Sequence, residues 1–154
     1  MTAESFPGFE PEIKTIRIFC DGGSRGNPGP AGVGAVVLDA STEPARILTT
    51  VSRTIGIATN NVAEYQALID GLEAAAIYGA PRVEVRADSQ LLIRQLEGRY
   101  RVKNAGLQPL FAQARALLRS YAEVDLVHVY REQNVEADAL VNQALDAAAD
   151  PPRT

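Results

Sequence analysis

The sequence predicts a mixed α/β fold, and three observations carry that prediction. Five short stretches read as strands, and two of them, Ile16–Cys20 and Arg82–Ala87, alternate in the way of strands with one buried face. Three of these stretches follow one another early in the chain, whereas the last two are set apart by segments with helical spacing. Connections this short fold most simply as an antiparallel meander of strands one to three. Strands four and five then lie parallel to strand one, with helices on both faces.

Each element has a local cause. Residues 1–12 carry two prolines and no clear period, and read as a flexible arm ahead of a domain spanning 13–148. Ile16, Ile18 and Cys20 alternate with Arg17 and Phe19, a first strand that ends at Asp21. The turn-rich GGSRGNPGPAG follows, then strands over Gly34–Leu38 and Arg46–Ile55, joined through Asp39, Ser41 and Pro44. Thr59, Asn60 and Asn61 can cap a helix, and Glu64, three residues after Asn61, suits a capping box. Tyr65, Leu68, Ile69, Leu72 and Ala76 continue that helix until Gly79 and Pro81 stop it. Val83, Val85 and Ala87 mark a fourth strand ending at Asp88. Ser89 caps a short helix over Gln90–Glu97, a further helix fits Leu107–Tyr121, and Val124–Tyr130 is the fifth strand. Asn134 caps a last helix running to Ala148, after which residues 149–154 read as a tail or linker.

Composition narrows the function. A chain of 154 residues with 46% hydrophobic residues can bury the core of one domain. The net charge of −4 has the wrong sign for gripping nucleic acid through a global positive field. Any such contact must rest on a local basic strip or on metal ions that invert the field of an acidic site. Cys20 is the only cysteine, which rules out an internal disulfide and suits a reducing compartment. No apolar run reaches the length of a signal or membrane segment. The expectation is a cytoplasmic monomer without a membrane partner.

The acids are the most informative feature. Asp21 and Asp88 fall at the C-terminal ends of strands expected to be parallel, the sheet edge where open α/β folds bind ligands. Glu64 falls in the first turn of the helix after strand three, and Asp138 in the first or second turn of the last helix. If both helices begin beside the same edge, four carboxylates converge. Like charges so placed are costly without a cation, and hard oxygen ligands select Mg²⁺ or Mn²⁺ over zinc. Two ions about 4 Å apart would balance the four acids and accommodate a phosphodiester. Taken singly, each acid is also ordinary turn or helix-start chemistry; only their joint placement points to a site.

The stretches FCDGGSRGNPGPAGVGAVV, TNNVAEYQALIDGLEAA, ADSQLL and VYREQNVEADALVNQALD resemble, in order and spacing, the signature blocks of type I ribonuclease H. The likeness runs from about Lys14 to Ala148. It implies a five-stranded mixed sheet of order 3-2-1-4-5 flanked by helices. It also implies cleavage of the RNA strand of RNA/DNA hybrids by a two-metal mechanism, with Asp21, Glu64, Asp88 and Asp138 as ligands. Gly22, Gly23, Ser24, Asn60, Asn61 and Gln90 are the residues it implies for contact with RNA hydroxyls or phosphates, a role suited to short amides and close backbone.

Two departures from that pattern stand out. Many members carry a histidine in the loop before the last helix; here the loop is Arg131-Glu132-Gln133, and Arg131 is the candidate for the auxiliary catalytic role. The only histidine, His128, falls inside the fifth strand, where a structural role is expected. The basic helix inserted by longer members is also missing, leaving a short run with Arg99, Arg101 and Lys103 around Tyr100 that either meets DNA phosphates or is a solvated loop. Two alternatives stay open: the same chemistry extended to double-stranded RNA, and a non-cleaving binding module of the same fold.

Overall fold

The computed structural model describes residues 12–149. The arm expected over residues 1–11 and the tail over 150–154 lie outside the described residues. Five strands, β1 (Thr15–Ser24), β2 (Gly29–Asp39), β3 (Arg46–Ala58), β4 (Arg82–Ala87) and β5 (Glu123–His128), form one sheet of order β3-β2-β1-β4-β5. β2 runs antiparallel to both β1 and β3, while β4 runs parallel to both β1 and β5. Four helices, α1 (Asn60–Ala75), α2 (Gln90–Leu96), α3 (Gln108–Leu118) and α4 (Val135–Ala149), complete the fold.

Strand alternation decides which helix meets which face. Ile16, Ile18 and Cys20 of β1 share one face with Val83, Val85 and Ala87 of β4 and with Val33, Ala35 and Val37 of β2. All nine are buried, and they form the main core with Leu68, Ile69 and Leu72 of α1, Leu92 and Ile93 of α2, and Ala114 and Leu118 of α3. The other face of β2 presents Gly32 and Gly34 to α4. A Cβ on Gly34 would stand 2.3 Å from the Ala137 carbonyl oxygen, so only glycine admits the helix at that distance. Gly22 does the same for α1 on the first face, where a Cβ would come within 2.2 Å of the Ala63 carbonyl oxygen. Helices on opposite faces are thereby pressed close to the middle strands.

Several boundaries differ from the sequence reading; β5, for one, spans Glu123–His128 and stops short of Tyr130. The glycine-rich stretch is mostly strand, because β1 continues to Ser24 and β2 already begins at Gly29. Asp21 therefore lies within β1, opposite Gly34, and not at its end. The parallel pairing with β4, however, stops at Cys20 opposite Ala87, so Asp21 and Asp88 both lie just beyond it. Thr59 caps α1, its hydroxyl accepting the Val62 amide at 3.2 Å, so no capping box forms around Asn61 and Glu64 sits in the second turn. Asn134 does not cap α4 with its side chain, which turns inward and donates to the Cys20 carbonyl at 3.0 Å. α3 is shorter than expected at both ends, and Arg131–Gln133 forms a single 3-10 turn.

Candidate active site

The topology delivers the four acids to one place by four routes. Asp21 points to the α4 face of β1, since Cys20 before it points to the α1 face. Asp138 lies in the first turn of α4, its amide donating to the Asn134 carbonyl at 3.1 Å. Glu64 comes from α1 on the opposite face, and Asp88 follows the last residue of β4. All four line one open cleft of about 250 Å³, together with Gly22, Gly23, Ser24, Arg25, Asn60, Arg131 and Asn142.

Their electrostatics bear the imprint of crowding. Asp21 is pushed up to about 8, first by burial, then by the charge of Asp88, by a hydrogen bond with Asp138 and by the charges of Asp138 and Glu64. Two carboxyl groups can share a hydrogen bond only if one keeps a proton, so at neutral pH the metal-free cleft holds that proton between Asp21 and Asp138. Glu64 is pushed up to about 7 by burial and by Asp88, against the lowering effect of a hydrogen bond from Ser89. Its Oε2 is buried without a hydrogen-bond partner. An orphaned carboxylate oxygen and a proton wedged between two acids are both what a divalent cation would relieve. Among the described residues no three acidic, cysteine or histidine side chains already converge on one point. The acids line the cleft without closing on one point, and their all-oxygen donor set fits a hard cation.

The second set of expected residues divides. Gly22, Gly23, Ser24 and Asn60 line the cleft, and Asn60 is also a strut. Its side-chain oxygen accepts from the Ser24 amide at 2.8 Å and the Ser24 hydroxyl at 3.2 Å, so its NH₂ group is the part left for a ligand. Asn61 instead borders a neighbouring crevice with Glu64, Ser89 and Gln95, and Gln90 is the exposed first residue of α2, outside the cleft lining. Arg131 does reach the cleft from the 3-10 turn before α4. His128 ends β5 away from it, its ring edge-on to Tyr130.

The chain matches the model of the family described as reverse transcriptase-like over residues 19–144. It is 45% identical over 133 residues to ribonuclease HI of Halobacterium salinarum, covering 86% of this chain and 65% of that protein. The solved structure of LC11-RNase H1 in complex with an RNA/DNA hybrid superposes with a TM-score of 0.81 at 44% identity, covering 88% of this chain and 99% of that one. The chain belongs to the type I ribonuclease H family. This ribonuclease H domain is also 48% identical over 134 residues to the bifunctional protein Rv2228c of Mycobacterium tuberculosis, and spans 36% of that longer protein's length. Ribonuclease H enzymes as a family depend on metal, in keeping with the acid cluster described above.

Sequence reasoning missed three residues of this ribonuclease H site. Ser89 was legible only as a helix cap, yet its hydroxyl both accepts the Leu92 amide at 3.1 Å and hydrogen-bonds Glu64. Asn142 donates to the Asp138 carbonyl and carboxylate at 3.2 and 3.4 Å; its position four residues after Asp138 on a helix was the available signal. Arg25 lay in a segment read as turn, with nothing in the local pattern to mark it.

Proposed function

We propose that this domain hydrolyses the RNA strand of RNA/DNA hybrids, using Mg²⁺ or Mn²⁺ held by Asp21, Glu64, Asp88 and Asp138. The observation that carries this reading is the cleft itself: four acids from four elements, two of them held well above the usual carboxylate range by burial and mutual crowding. When bound, two divalent ions supply a nucleophilic water and a positive charge at the leaving oxygen. The chain's own residues prepare that chemistry. Ser89 orients Glu64 from the end of β4, and Asn142 does the same for Asp138 along α4. Burial of Asp21 and Glu64 weakens their hold on water and strengthens their attraction to a cation. Ser24 and Asn60, locked together, present a hydroxyl and an amide NH₂ beside the acids, and a 2′-hydroxyl can bond to both; deoxyribose cannot. Arg131 brings a positive charge to the cleft for a phosphate in transit.

The ion, a cytoplasmic setting and a monomeric state belong to the same proposal. Among the described residues no helix is long and apolar enough to cross a membrane. The test is cleavage of one labelled hybrid and one labelled RNA duplex in excess chelator, then with Mg²⁺ or Mn²⁺ restored. The expected result is loss in chelator, recovery with either ion, and products from the RNA strand of the hybrid. Undiminished cleavage in chelator would overturn the metal mechanism, and binding without cleavage under all conditions would favour the non-cleaving module.

A further inference from the structure

We infer that Arg25 is a substrate-binding residue that grips a phosphate of the cut strand flanking the scissile one, and that Asp146 holds it ready until that phosphate arrives. The inference rests on the proposed hydrolase reading of the cleft. Of the residues lining the cleft only Arg25 and Arg131 carry positive charge, and they enter from different elements. Arg131 precedes α4, whereas Arg25 lies between β1 and β2. The Arg25 guanidinium Nη2 donates to Asp146 Oδ1 at 2.6 Å and to Asn142 Oδ1 at 3.4 Å. Asp138, Asn142 and Asp146 are spaced four apart and form one stripe of α4, from the acid cluster to Arg25. Eight residues of helix span roughly 12 Å along the axis, so the Arg25 contact stands off from the acid cluster along the same cleft, where a phosphate neighbouring one held at the acids would lie.

The ion pair explains little as a structural device. The Arg25 side chain is 44% exposed and that of Asp146 is 70% exposed, so water screens the pair and it adds little to the fold. A weakly held guanidinium at the rim of an acidic cleft can exchange its partner at small cost. A phosphodiester offers a better one, because its two free oxygens match the guanidinium fork. The acids also set the need: a cleft that repels phosphate until cations enter requires a positive group outside the metal site to hold the strand.

The test is the salt dependence of hybrid binding, read by fluorescence anisotropy for the wild type and for R25A, R25K and D146N, with kcat and KM measured beside it. Each phosphate contact contributes a slope of about 0.7 to 0.9 in log Kd against log salt. Between about 50 and 200 mM salt the wild-type Kd should therefore rise roughly threefold more than that of R25A. R25K should keep the wild-type slope, since it keeps the charge. D146N frees the guanidinium and should tighten binding, opposite in sign to R25A. In R25A the change should fall on KM, with kcat within about twofold, as expected for loss of uniform binding. An unchanged slope in R25A, or R25A and D146N weakening binding alike as two halves of a strut, would overturn the inference. A wild type that binds hybrid without cutting it would sink the hydrolase reading and still leave the slopes to decide on Arg25; a wild type that does not bind hybrid overturns both.

Discussion

Replacing Asp21 with asparagine separates a cation-holding acid from a structural one. Asparagine keeps the shape and can donate from its NH₂ to Asp138, as the protonated Asp21 does in the metal-free cleft. Asp21 has a folded-state pKa of about 8, whereas an unfolded aspartate titrates near 3.9. Between those values the folded state holds a proton that the unfolded state has released. Stability of the metal-free protein must then fall as pH rises through that window. Each pH unit inside the window is worth at most about 1.4 kcal/mol, so the three units from pH 5 to pH 8 give an upper bound of about 4 kcal/mol. The cleft is open to water, and that screening reduces the expected loss to about 2 kcal/mol.

An asparagine side chain has nothing to titrate, so the variant should lack this pH-dependent loss. Urea melts in chelator should show D21N equal to the wild type near pH 5 and more stable by about 2 kcal/mol near pH 8, while hybrid cleavage is abolished. If Asp21 instead serves the fold as an ionised hydrogen-bond acceptor, D21N should be less stable at both pH values, by about 1 kcal/mol. A variant that is less stable and still cleaves hybrid would refute the assignment of Asp21 to the metal site.

Two further variants probe the residues around the acids. R131A should lower kcat far more than it raises KM, because the proposed role is toward charge developing during reaction or release; a normal kcat with only a raised KM would make Arg131 a binding residue. N134A removes the donor that satisfies the buried Cys20 carbonyl and should destabilise the protein by about 1–3 kcal/mol in urea melts, with little difference between pH 5 and pH 8; a loss below about 0.5 kcal/mol would mean the bond contributes nothing net.

The order of elements and the convergence of four acids were legible because both leave local marks: alternation, helical spacing and turn residues. What escaped was set by contacts between distant parts of the chain. Gly22 and Gly32 read as turn because glycine carries no side chain to show alternation, yet they are strand residues made small by helices pressing on them. Glu64 looked like half of a capping box. Thr59, one of the three candidate caps, took that role and left the carboxylate to the cleft. Asn134 has the composition of a cap, but it is buried, and a bond to residue 20 explains why; no window around residue 134 can reveal that. The likeness to a family implies substrate contact for Asn61 and Gln90 as well; the first borders a crevice adjoining the cleft and the second is exposed at the start of α2.

The proposed substrate is a polyanion and the protein is acidic, and the distribution of its cations bears on how the two are reconciled. Several arginines pair with carboxylates on the sheet and helices, most firmly the half-buried Arg17 with Glu84 and Arg94 with Glu97, and also Arg53 with Asp70 and Arg82 with Asp125. Among the described residues Arg101, Lys103, Arg115, Arg119 and Arg131 enter no such pair, Arg115 lying instead over the Phe111 ring, and Arg25 enters one that water screens. Val102 packs against the core between Arg101 and Lys103, which fixes both neighbours outward after α2. The cations outside such pairs thus lie at the cleft, on the run after α2 and at the C-terminal end of α3, while the negative charge that dominates the total is partly concentrated where metal would neutralise it. Net charge averages over these two populations, so it is a poor guide to affinity here; the local arrangement sets which phosphates are held and which is presented to the acids.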